Sequence, residues 1–207
     1  MADRYFGSNA HRITIKGSRA SRSQRAILGR ALAYAEKVRA PYAAKVAVIT
    51  ALIQESEAKN LSNPSADGYG SYGVLQGLER YHGRRNLMNP EYQFGVFFGT
   101  NKKWRKGFTS KGNAIELARR GMNPAAIAQA VEGSAYPQRY YSSLNEAKRI
   151  VKAYQGSAPS GGSVLTGGVA APSSQRQQAL LALAQSYTTG RSRKVKPVMP
   201  DWTKTSG

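Results

Sequence analysis

Cysteine is absent from the 207 residues, histidine is down to two, and acidic side chains number only 11 against 31 lysines and arginines. Without a thiol there is no disulfide framework and no thiolate metal site. His11 and His82 stand far apart and lack ligand spacing, so no metal and no cofactor is expected. No apolar stretch reaches membrane-spanning length. The first eleven residues carry no apolar stretch of the kind a secretory signal needs. A membrane is therefore not an expected partner.

The shortage of acids leaves a net charge of +20. Residues 23–155 alone carry 20 basic and 9 acidic side chains, so the excess is not confined to the ends. Such a field draws a protein to polyanions, whether nucleic acid or an anionic cell-wall polymer. The pairs Arg84-Arg85 and Arg119-Arg120, and the run Lys102-Lys103-Trp104-Arg105-Lys106, have the composition of phosphate-gripping patches. No nucleic-acid motif accompanies them, which makes nucleic acid the less favoured partner.

A hydrophobic content of 41% is enough for a real core. Residues 1–22 read as a basic, mostly irregular arm. Residues 23–155 read as one predominantly α domain. Ala26, Ile27, Leu28, Ala31, Leu32 and Ala35 form the apolar side of a helix starting near Ser23. Pro41 suits the first turn of a second helix reaching about Lys59. There Val46, Val48, Ile49, Leu52 and Ile53 cover most of the circumference, the mark of a central, buried helix.

Residues 60–83 are rich in Gly, Asn and Pro and read as irregular chain with a small β-hairpin around Tyr69–Leu75. Asn89-Pro90 and Asn123-Pro124 cap helices over 90–99 and 124–132. Further helices are expected around 113–120 and 138–155. Residues 156–174 are almost wholly small residues and read as a flexible linker. Residues 175–207 hold a short leucine-bearing docking helix and a basic tail. That helix is too short to stand alone in water.

One carboxylate is singled out. Glu55 follows Leu52 by three residues and Val48 by seven, so it continues an apolar helical stripe. Glu57 points about 200° away round the helix, toward solvent. A carboxyl held against apolar groups keeps its proton, as a glycosidase acid must when it protonates a leaving oxygen. Of the eleven acidic residues, Glu55 has the strongest case for burial.

Glu55-Ser56, Asn60-Leu61, the turn Ser71-x-Gly73-x-x-Gln76 and Asn89-Pro90 follow one another in a recognisable order. After them come Val131-Glu-Gly-Ser134-Ala135-Tyr136-Pro137 and Tyr140. This set, over residues 41–145, resembles the lysozyme-like superfamily, especially the transglycosylase-type domains of bacteriophage tail and actinobacterial cell-wall proteins. The resemblance implies a lysozyme-like fold and cleavage of peptidoglycan glycan strands, with Glu55 as general acid. Ser71 and Gln76 would form the floor of a cleft and bind sugar hydroxyl or acetamide groups, or would only brace the turn. Gly73 would allow a close approach of the saccharide or an unusual backbone angle. Tyr136 would hydrogen-bond the acid, flank a sugar ring, or simply fill the core.

Two departures stand out. Relatives often carry an aspartate just before the serine of the turn, where this chain has Gly70, and a second glutamine where it has Gly77. Asp67 lies three residues too early to match the aspartate. A transglycosylase tolerates that loss better than a two-carboxylate lysozyme, since the substrate's own hydroxyl replaces the second group. The expectation is thus a lytic transglycosylase or lysozyme-type enzyme of a phage virion, docked on tail proteins and acting at the host cell wall. The rival is a catalytically inactive, basic structural virion protein that binds DNA or neighbouring subunits.

Overall fold

The computed structural model describes residues 3–63, 70–134, 136 and 138–156. The linker, docking helix and basic tail expected after residue 156 lie outside them, as does Asp67. What is described is mostly helical, as the periodicity requires.

The N-terminal segment differs from the expected irregular arm. A 3-10 helix at Ser8–Arg12 leads into a hairpin of β1 (Thr14–Ile15) and β2 (Ser18–Arg19). Phe6, Ile13 and Ile15 are buried in the main core. The reason is a polar anchor distant in sequence. The Glu146 carboxylate accepts hydrogen bonds from Thr14 Oγ1 (2.7 Å), the Lys16 amide (2.9 Å) and the Gly17 amide (3.5 Å). Asp3 meets Arg25 at 2.7 Å, and the Gln155 amide donates to the Tyr5 carbonyl. The segment is a strap laced across the domain.

Helix α1 (Arg22–Lys37) begins at Ser21, whose hydroxyl accepts from the Gln24 amide while the Gln24 side chain accepts from the Ser21 amide. This reciprocal cap satisfies two amides that a helix start leaves orphaned. Helix α2 (Tyr42–Ser56) is the hub. Val46 through Ile53 are all buried, and α1, α6 (Ala114–Arg119), α7 (Pro124–Glu132) and α8 (Gln138–Ala153) pack against it. It stops at Ser56, short of Lys59, because Glu57 and Ala58 both turn left-handed at φ +54°. The Ala58 amide closes that end on the Leu52 carbonyl.

The hairpin lies a few residues later than expected. β3 (Ser71–Tyr72) pairs antiparallel with β4 (Gly77–Leu78), leaving Gly73–Gln76 as the connection. Two short helices follow, α3 (Glu79–His82) and α4 (Arg84–Leu87), and then α5 (Pro90–Phe97). The asparagine caps act as read: Asn89 Oδ1 accepts from the Glu91 amide and Asn123 Oδ1 from the Ala125 amide.

The hairpin connection is held from α5 by one buried side chain. Gln93 accepts from the Leu75 amide at 2.8 Å and donates to the Tyr72 and Leu87 carbonyls. Removing that amide strands several buried backbone groups, each expensive to leave unpaired. Gln93→Leu is expected to cost about 2–3 kcal/mol. Urea unfolding measures this, and a loss below about 0.5 kcal/mol, the size of an ordinary surface substitution, would show that the clamp carries no weight.

Candidate active site

Glu55 occupies the last turn of α2, where the carbonyl ends of the helix disfavour a negative charge. It is half-buried, and its Oε1 accepts a hydrogen bond from the Tyr140 hydroxyl of α8. Burial raises the Glu55 pKa above the ordinary carboxylate value; the Tyr140 hydrogen bond and the charges of Arg139 and Lys16 pull the other way and only moderate it. Tyr140 is 1% exposed, and burial together with the charges of Glu132 and Glu55 pushes its phenol up. It serves as a neutral donor.

Glu57 behaves as read. It faces outward to Lys59 (2.7 Å) and Lys16 (3.4 Å), and these partners hold its carboxyl below the usual range. Two glutamates one residue apart in a chain thus have opposite electrostatic fates. Direction around the helix decides which.

Ser56 explains why the residue after the acid is a serine. Its buried hydroxyl donates to the Val74 carbonyl at 2.7 Å, tying the end of α2 to the hairpin connection. The Gly73 amide donates to the Leu61 carbonyl, which fixes the chain leaving α2 to the same connection. Gly73 has φ +82°, and a side chain there would collide with the Gln93 amide and the Leu87 carbonyl. Of the two roles open to Gly73, the unusual backbone angle is present, and the close approach is made by Gln93. Ser71 is buried at the start of the hairpin. Gln76, also left-handed at φ +49°, donates from Nε2 to the Gly73 carbonyl and so braces the turn.

Gln76 also lines a cavity of about 70 Å³, with Gly77, Leu78, Tyr81, His82, Phe108 and Glu132. Wider concavities exist elsewhere, one of about 890 Å³ beside the N-terminal strap, but it contains neither Glu55 nor Glu132. Chemistry, not size, selects the smaller one. His82 sits against Trp104, Phe108 and Tyr92, with ring centroids 4.3, 5.3 and 5.9 Å away. Burial, helped by the charge of Lys103, pushes its pKa down to about 4, so its imidazole is neutral near pH 7. Among the described residues, no three histidines or acids are grouped to hold a metal.

Tyr136 requires correction. It is 60% exposed, so it fills no core, and the Arg139 guanidinium lies over its ring at 4.4 Å. The tyrosine that hydrogen-bonds the acid is Tyr140, four residues on. The second carboxyl, Glu132, was not singled out by sequence at all. Its signal is positional: an acid as the final residue of a helix opposes the macrodipole and calls for a local reason.

Because the Tyr140 hydrogen bond favours ionised Glu55, Tyr140→Phe should move the Glu55 titration to higher pH. Carbon-13 NMR of the glutamate carboxyls follows this directly, and a shift to lower pH would overturn the assigned balance. The loss of one buried hydrogen bond is expected to cost about 1 kcal/mol of stability.

No family model matches the chain and no curated protein matches it, so the case for this site rests on its own residues.

Proposed function

We propose that this chain cleaves the glycan strands of peptidoglycan as a lysozyme-like lytic transglycosylase, with Glu55 as proton donor. The observation that carries the reading is the state of Glu55. It ends the most buried helix of the domain, where burial favours its protonated form, and it is oriented by a buried tyrosine. That is the condition a carboxylic acid must meet to protonate a glycosidic oxygen near neutral pH.

The reaction begins as the leaving oxygen takes the Glu55 proton while the C–O bond breaks and positive charge grows on the sugar ring. The C6 hydroxyl of the same muramyl residue then bonds to that carbon, and its proton returns to Glu55. No second carboxylate is needed as nucleophile, which agrees with Gly70 standing where relatives carry an aspartate. Gln76, at the edge of the cavity, is placed to bind a sugar substituent. The basic surface holds the anionic wall near the domain.

A phage tail is the proposed carrier and the host cell wall the place of action. The rival, a DNA-binding structural protein, draws its support from the exposed Lys102, Lys103, Arg105 and Lys106 around Trp104. Salt-sensitive DNA binding without wall cleavage would favour it.

Glu55→Gln should fold normally and lose wall clearing by on the order of 10²–10⁴, whereas Glu57→Gln should clear walls at nearly the parent rate. Near-normal clearing by a folded Glu55→Gln protein would sink the assignment. Mass spectrometry of the released muropeptides should find 1,6-anhydro ends; products with reducing ends alone would make water the nucleophile. Truncation after Gln155 should leave cleavage in solution intact and abolish incorporation into the particle. Normal incorporation would remove the docking role from the tail.

A further inference from the structure

Glu132 is unusual on four counts that do not depend on one another. It is the final residue of α7, where the helix dipole opposes an anion. Its Oε1 is shut off from solvent and has no hydrogen-bond partner. It borders the cavity that Gln76 and His82 line. The charge of Glu55 acts on it, and the two carboxyls both act on the buried Tyr140.

An ionised carboxylate with a shielded, unpartnered oxygen costs several kcal/mol even in a relaxed interior. No basic group offsets that cost at Glu132; burial and the Glu55 charge both raise its pKa. Glu55 differs, because Tyr140, Arg139 and Lys16 all favour its charged form. When one proton leaves the two carboxyls, the second is therefore held far more tightly than either would be alone.

We propose that Glu132 and Glu55 titrate as one unit sharing their last proton, and that Glu132 is a positioning residue which extends to higher pH the range over which Glu55 carries a proton. Groups facing the pair are Tyr140 and Arg139 from α8, Lys16 from the β1–β2 turn, and His82 and Tyr81 across the cavity from α3. His82 is neutral over the relevant range and does not displace the proton.

The pair has a kinetic signature. Between its two ionisations one proton remains, and it occupies Glu55 in a fixed fraction of molecules. Activity then falls to a shelf before the final decline. A lone Glu55 gives no shelf, and activity drops about tenfold per pH unit once it ionises.

The kinetic part rests on the reading of Glu55 as proton donor, so the test has an arm without catalysis. In the full-length protein, the carbon-13 carboxyl resonance of Glu55 should titrate in two steps. In Glu132→Gln it should titrate in one, and the shelf in wall clearing should vanish. A merely structural role would lower activity by the same factor at every pH and leave the shape unchanged. Stability offers a further check. A carboxyl whose pKa is raised on folding loses stability as pH climbs from its unfolded value of 4.5 toward the folded one. The melting temperature of Glu132→Gln should therefore exceed the parent's near pH 7, with the gain closing below pH 4.5.

A single-step Glu55 titration in the parent, or two steps surviving in Glu132→Gln, overturns the pair. If the variant fails to fold, the parent titration alone decides. If Glu55→Gln keeps cleaving walls, the catalytic reading falls while the titration still settles whether the two carboxyls are coupled.

Discussion

Complete burial of α2 is the constraint on which the rest depends. Its middle eight residues have no side facing water, so neighbouring helices must cover every direction, and α1, α6, α7 and α8 do so. A carboxyl in the last turn of such a helix cannot be solvated as a surface glutamate is. Its protonation then follows from local groups, which α7 and α8 deliver because they are packed on the same hub. The C-terminal ends of α2 and α7 each present a carboxyl to Tyr140, and neither end welcomes a negative charge. Packing and chemistry here are one arrangement.

The turn residues support that arrangement from the opposite side. Ser56 hooks the end of α2 to the Val74 carbonyl, Gln93 holds the hairpin connection from α5, and Gly73 provides the space that Gln93 fills. Gln76 braces the same turn while facing the cavity. A motif of small and polar residues after a catalytic-type glutamate therefore reads less as a set of ligands than as a frame. Backbone groups that a loop leaves open are satisfied inside the frame, which keeps the cavity wall in one conformation.

Helix boundaries were legible where a local rule governs them. Asn89-Pro90 and Asn123-Pro124 open α5 and α7 as their capping chemistry requires, and the apolar girdle of α2 identified its place in the core. The N-terminal strap was not legible, because what orders Thr14, Lys16 and Gly17 is Glu146, some 130 positions away. No local pattern reports a partner that distant. The site divides in the same way. Glu55 could be found from its stripe, but Tyr140 and Glu132 gain their meaning only when α7 and α8 fold onto α2. Tyr136 was the nearer tyrosine in the motif; the turn of α8 brings Tyr140 to the acid instead.

Electrostatics acts on this protein at two ranges that salt separates. The net charge of +20 works through solvent, where screening limits it to about 8–10 Å at physiological ionic strength. The interaction of Glu55 with Tyr140 and Glu132 runs through the packed interior and is screened far less. Added salt should then weaken capture of an anionic polymer without changing which carboxyl holds the proton. A basic surface and a proton-retaining interior are compatible for that reason. Arg139 and Lys16 sit where the ranges meet, lowering the Glu55 pKa without overcoming its burial. Moving either charge inward would ionise the acid; the strap and α8 hold them at the edge.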